Sequence, residues 1–227
     1  MGLMRTRFVA TLGLAAVLLA ACGGSSGNGE SAKKGPQVAA DAASALEKAG
    51  AAHLVGTGTQ DGKPMKLDIH VVGADASGTV TMNGAQLDMV NVGGKFYIRA
   101  SGDFWTQNGV PASATSLLDG KWVIVPGQAA SELDQFSLKG LADELRHPSN
   151  GTIKDAVHTD TVDGKKVVVV TESDGSTLDV AATGTPYPLR VVDKGSQSDT
   201  ITVSDFGKKT AITAPSGALD LSQLAGG

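Results

Sequence analysis

Hydrophobic and polar residues alternate along most of this chain in short runs, separated by dipeptides that favour tight turns. The turn dipeptides are Asp61-Gly62, Asn83-Gly84, Gly93-Gly94, Asp119-Gly120, Asp163-Gly164, Asp174-Gly175 and Lys194-Gly195. Asn-Gly, Asp-Gly and Gly-Gly tolerate the positive φ that two-residue hairpin turns need. The pattern predicts an antiparallel meander. A two-residue turn at Asn83-Gly84 pairs Met82 with Ala85 and Val80 with Leu87; one at Gly93-Gly94 pairs Met89 with Ile98 and Asn91 with Phe96. Both registers put Val80, Met82, Leu87, Met89, Phe96 and Ile98 on one face and Thr79, Thr81, Gln86, Asp88 and Lys95 on the other. A slip of one residue would invert every side chain, so the agreement of two independent turns fixes the register. Upstream, Met65, Leu67, Ile69 and Val71 alternate with Lys66, Asp68 and His70. A two-residue turn at Asp174-Gly175 pairs Val169 with Val180 and Thr171 with Leu178. It places Val167, Val169, Leu178, Val180 and Ala182 on one face, with Val168 and Val170 opposite, so this strand is expected to be covered on both sides. Further strands are predicted over 187–193, 200–206 and 209–213.

Helical periodicity is confined to a few segments. Residues 37–49 carry Val38, Ala42, Ala45, Leu46 and Ala49 at helical spacing, with Gly50 as a stop. A second helix is predicted over 138–146, with Leu138, Leu141, Ala142 and Leu145 on one stripe and Pro148 beyond its end. A short third is predicted over 113–118. None is long enough to be stable alone, so the helices are expected to pack across an apolar sheet face.

The N-terminus follows a different pattern. Arg5 and Arg7 precede an apolar run over 8–21, and Leu19-Ala20-Ala21-Cys22 has the form of a lipobox. The run is too short for a spanning helix, which needs about 20 apolar residues. Residues 1–21 are expected to be a lipoprotein signal peptide, absent from the mature chain. Residues 22–36 are expected to be a lipidated Cys22 and a flexible tether, and 37–227 one folded domain. The Gly/Ser-rich part of the tether, 23–35, has a random-coil reach of about 20 Å. The expected location is the outer, extracellular side of the cytoplasmic membrane, with membrane lipid as a partner through acylated Cys22. Cys22 is the one cysteine of the chain, so no disulfide is expected and stability must come from packing.

Composition removes several function classes. The formal charge is −4, and loss of Arg5 and Arg7 with the leader makes the body more acidic. An acidic body has no electrostatic footprint for nucleic acid. The histidines His53, His70, His147 and His158 show no metal-ligand spacing in the sequence, and no metal or cofactor is expected. Gly23-Gly24-Ser25-Ser26-Gly27 matches Gly-x-Ser-x-Gly but lies in the tether, without the strand and helix that a nucleophile elbow requires. No nucleophile, base and orienting group can be assembled from the sequence, and the chain is not expected to be an enzyme. The aromatic residues Phe96, Tyr97, Phe104, Trp105 and Trp122 suit either core and corner packing or a rim at a cavity mouth.

The order of parts resembles the LppX/LprG family of actinobacterial lipoproteins and, more distantly, the LolA-like carriers. The resemblance covers most of the mature chain. It rests on the lipobox, the tether, the first helix, the long meander and the helical insertion. It also rests on the local text Asn91-Val92-Gly93-Gly94-Lys95-Phe96-Tyr97-Ile98, Asp103-Phe104-Trp105, Gly120-Lys121-Trp122-Val123-Ile124-Val125-Pro126 and Val203-Ser204-Asp205-Phe206-Gly207-Lys208-Lys209. The resemblance implies an α+β fold: a curved antiparallel half-barrel sheet with a few helices packed on its concave face. It implies lipid or another apolar acylated ligand held between sheet and helices, for lipid transport to or within the cell envelope. The candidate cavity residues are Leu67, Ile69, Val80, Met82, Leu87, Met89, Phe96, Ile98, Trp122, Val169, Leu178 and Val180. If the same apolar face is filled by the protein's own atoms, the alternative is a non-enzymatic interaction or signalling module with a membrane-protein partner.

Overall fold

A computed structural model describes residues 27–60, 62–125, 137–194 and 199–221. Cys22, the signal segment and residues 23–26 of the tether lie outside the described residues, as do Asp61, Pro126, Gly195 and the last six residues. Among the described residues no helix is long and apolar enough to cross a membrane.

The meander forms one curved, open sheet of α+β architecture. Its strands are β1 (Ala51–Gln60), β2 (Lys63–Val72), β3 (Asp75–Met82), β4 (Ala85–Val92), β5 (Lys95–Ala100), β6 (Trp122–Val125), β7 (Ile153–Val162), β8 (Lys165–Glu172), β9 (Thr177–Ala181), β10 (Pro188–Asp193), β11 (Asp199–Ser204) and β12 (Leu219–Asp220). The spatial order is β12-β6-β5-β4-β3-β2-β1-β11-β10-β9-β8-β7. Only the β12–β6 pair is parallel. Two meanders are thus stitched together where β11 pairs with β1.

The turn chemistry explains the registers. Asn83 and Gly84 take φ of 49° and 82°, and the expected pairs Val80–Leu87, Met89–Ile98 and Asn91–Phe96 all form. The β8–β9 register differs from expectation. Thr171 faces Thr177, Val170 faces Leu178 and Val168 faces Val180. The loop is Ser173-Asp174-Gly175, one residue longer than a two-residue turn, with Gly175 at φ 95°. Glu172 N–H donates to the Ser176 carbonyl at 2.9 Å to close it, and Asp174 accepts from the Ser176 N–H and hydroxyl, each at 2.9 Å. Val168 and Val170, not Val167 and Val169, therefore share a face with Leu178 and Val180. The strand is covered on both sides, since all four valines are buried.

The helices are α1 (Gly35–Ala49), α2 (Gly102–Gln107), α3 (Ala112–Leu118) and α4 (Leu138–Arg146). In α1, Pro36 sits at the start, the Lys34 N–H donates to Gln37 Oε1, and Gly50 ends the helix at φ 72°. Its buried face is mostly alanine, which lets the helix lie close to the sheet. Ser137 caps α4 by accepting from the Gly140 N–H at 2.9 Å. α2 was not expected, and its short aromatic text gives no helical period.

Residues 27–35 are docked rather than loose. Asn28 donates from its backbone to the Ala182 carbonyl at 2.9 Å and from its amide to the Ala181 carbonyl at 2.8 Å. Glu30–Ala32 form a single 3-10 turn, with Glu30 buried and bonded to Lys33 at 2.9 Å. The strand expected over 209–213 does not form. β1 already has β2 and β11 as partners, and the chain turns away at Asp205 and Gly207.

Three apolar clusters fill the inner, helix-covered face. The central one joins Leu46 of α1 and Leu138 of α4 to Leu54, Ile69, Val71, Met89, Phe96 and Val203. The second puts Val38, Ala39 and Ala42 of α1 on Val168, Val170, Leu178 and Val180. The third packs Trp105 and Leu118 of α2 and α3 on Ala100 and Val123.

Candidate functional site

Between the first two clusters the inner face is not filled. Strand alternation aims Leu54 of β1, Val170 of β8, Leu178 of β9, Val191 of β10 and Ile201 and Val203 of β11 at the helices. Ala39 and Leu46 of α1 and Leu141 and Leu145 of α4 face back at them. These side chains, with Pro148, Ile153 and Pro188, line a partly open apolar cavity of about 170 Å³. Its polar lining is Glu144, Asn150, Glu172, Ser176 and Asp193.

The polar residues are partly tied to one another. Glu144 accepts from the Ser149 N–H and hydroxyl, each at 2.8 Å. The Ser176 hydroxyl reaches Asp174 at 2.9 Å and Asp193 at 3.3 Å, and accepts from the Lys194 N–H at 3.0 Å. Burial raises the Glu172 carboxyl above its ordinary range, and the negative charges of Asp174, Glu144 and Asp193 raise it further. The Ser176 N–H, then its hydroxyl, hold Asp174 below its usual value.

The roof of the cavity is held by one ion-pair network. Arg146 of α4 reaches Glu47 of α1 at 2.5 Å and Asp143 at 3.3 Å, and Asp143 also pairs with Lys139. The Arg146 guanidinium lowers the Glu47 carboxyl below its ordinary value. Beyond this network lies a wider depression of about 680 Å³, between the Gly73–Ala74 turn and the first turn of α4. It is open and includes Glu47, Lys139 and Asp143, so it lacks the apolar enclosure of the smaller cavity.

Of the residues proposed from sequence, Leu178 lines the cavity. Ile69, Met89 and Phe96 are buried in the central cluster, with Leu67, Val80 and Ile98 packed against it. Val180 lies in the α1 cluster, Leu87 packs on the α2–α3 cluster, and Met82 is half-buried at a hairpin end opposite Met65 and Ala85. Two are corrected. Val169 pairs with Asp179 on the outer face, a consequence of the longer Ser173–Gly175 loop. Trp122 also faces outward, one residue out of phase with buried Val123, and stacks under the Arg99 guanidinium at 4.8 Å. The aromatic residues do not form one group. Phe96 is in the inner core, Trp105 packs edge-on to Phe104 at 5.4 Å, and Tyr97 and Trp122 are on the outer face. The lining residues not expected from sequence are on α1, β1, β7, β8, β10, β11 and α4. The Leu141/Leu145 stripe pointed to the strands among them, because a helix stripe must cover whichever strands lie opposite it.

No protein-family model matches the chain, and no curated protein matches it. Among solved structures, LprF from Mycobacterium bovis is similar over 82% of this chain and 100% of its own, at 18% identity and a TM-score of 0.53. An uncharacterised conserved protein from Thermus thermophilus is similar over 81% of this chain and 96% of its own, at 12% identity and a TM-score of 0.42. MucB is similar over 78% of this chain and 64% of its own, at 16% identity and a TM-score of 0.37. The assignment of fold rests on the first: this chain has the fold of the LprF type, as the LppX/LprG resemblance implied.

Proposed function

We propose that this LprF-type fold serves to hold the acyl part of a lipid, or of another acylated molecule, between the sheet and helices α1 and α4. The observation that carries the reading is the partly open aliphatic cavity with its polar groups gathered on a few neighbouring segments. Such a site needs no catalytic group. Each buried methylene contributes about 0.8 kcal/mol, so a chain bound by its hydrocarbon alone can bind tightly. Lipid anchoring through Cys22, on the outer face of the cytoplasmic membrane, belongs to the same proposal and is supported by the lipobox text. Transfer of lipid within the envelope is the role that such an anchored carrier fits.

The cavity size constrains the mechanism. About 170 Å³ is close to the roughly 150 Å³ of an engineered dry cavity that binds benzene, and below the roughly 300 Å³ of small ordinary ligand pockets. A full acyl chain needs more room than this, which an outward movement of α4 from the sheet would supply. The same size supports a second reading, a non-enzymatic interaction module whose interior is filled apart from this void. Titration with a fluorescent fatty acid separates the two. The carrier reading expects saturable uptake that Val170→Phe or Leu178→Trp abolishes while the fold is retained. Equal uptake by wild type and both filled variants, or none by any, contradicts it.

A further inference from the structure

On the outer face, opposite the cavity, β1 and β2 bring together His53, Asp68 and His70. The ten-pair β1–β2 ladder sets His53 directly across from His70, and Asp68, two residues along β2, on the diagonal. The two imidazoles stack at 4.0 Å between centroids and 9° between planes. His53 Nε2 and Asp68 Oδ1 are 2.7 Å apart. One ligand atom from each of the three residues lies within 4.8 Å of the others. Among the described residues this is the one group of three histidine, cysteine or carboxylate side chains so placed.

We infer that His53, Asp68 and His70 form a binding site for a divalent transition metal, with Zn²⁺ as the best-fitting ion. Around tetrahedral Zn²⁺, with bonds of about 2.0–2.1 Å to nitrogen and oxygen, ligand atoms stand roughly 3.4 Å apart. Reaching that spacing asks His53 Nε2 and Asp68 Oδ1 to part by about 0.7 Å, His70 to close by up to about 1.4 Å, and the two imidazoles to tilt out of their stack so that both nitrogen lone pairs meet at the ion. Asp68 is free to do so, because its side chain is 58% exposed, while His53 at 19% is held by the sheet. Two imidazoles and one carboxylate suit a borderline ion; calcium and magnesium prefer shells of oxygen ligands. Three protein ligands leave the fourth position to water.

The site follows from strand register rather than from a motif. The β1–β2 register pairs Gln60 with Lys63 and brings His53 opposite His70. The test is Zn²⁺ titration of the tag-free full-length chain by calorimetry, with thermal midpoints measured alongside. The expected result is one saturable site per chain and a midpoint raised by Zn²⁺. His70→Gln and Asp68→Asn should each weaken binding at least tenfold, since even outer-shell substitutions cost about 10–100-fold. They should also remove the Zn²⁺-induced rise in midpoint while the metal-free midpoint shows the fold intact. His158→Ala, on exposed β7, should bind like wild type. Absence of saturable binding, or the same affinity in His70→Gln as in wild type, overturns the inference.

Discussion

At the scale of single residues, the cavity wall concentrates strain and opportunity. Glu172 is held above its ordinary carboxylate pKa chiefly by burial. The folded protein therefore binds that proton more tightly than the unfolded chain. Its effect on stability is most favourable below the ordinary value near 4.5 and is lost as pH rises through the raised folded value. Glu172→Gln should be more stable than wild type at pH 7 and should lack that decline, as read from denaturant midpoints between pH 4 and 8. Leu178→Ala should cost about 2–3 kcal/mol by the transfer and cavity terms, and should widen the space available to an acyl chain. Gly35 is fixed by close approach. A Cβ there would stand 2.1 Å from the Lys154 carbonyl oxygen, so Gly35→Ala should destabilise by about 1–3 kcal/mol in chemical unfolding.

At the scale of elements, α4 and α1 together roof the cavity. α4 meets α1 through apolar contacts around Leu46 and Leu138 and through the Arg146–Glu47 pair, whose Glu47 carboxyl is lowered by Arg146. That contribution is present above the ordinary value near 4.5 and is lost as pH falls through the lowered folded value. Both partners are partly exposed, so Arg146→Ala should cost no more than about 1 kcal/mol. It should nevertheless speed exchange of a bound acyl probe, measured by stopped-flow displacement, if α4 opens to admit ligand. The elements that could be read from sequence were those whose turn residues and alternation agree. The hairpins at Asn83-Gly84 and Gly93-Gly94 and helix α4 are of this kind. Asp174-Gly175 misled because Asp-Gly favours a two-residue turn, whereas Asp174 here spends its side chain on Ser176 and the loop takes one residue more. α2 was hidden because a six-residue helix shows less than two turns of period.

At the scale of the whole molecule, the two faces of the sheet divide the chemistry. The inner face joins two meanders under α1 and α4, and the void falls where they meet, along β1, β11 and β10. Eight of the twelve cavity residues expected from sequence lie on β2–β5, where alternation is clearest; the others are Trp122 on β6, Val169 on β8 and Leu178 and Val180 on β9. Good alternation predicts close packing, and that half is the filled one. The long-range joining of β11 to β1 is set by the entire path of the chain, with no local signal at either strand. On the outer face, the local β1–β2 register brings His53, Asp68 and His70 together. The central claim is that the space between sheet and helices belongs to a guest. Native mass spectrometry of the full-length chain, expressed in an actinobacterial host and extracted gently, tests it most directly. The expected result is a lipid-sized mass on the wild type that the Leu178→Trp variant lacks. Repeated recovery of wild-type protein free of any such mass, from membranes that supply the lipid, would contradict it.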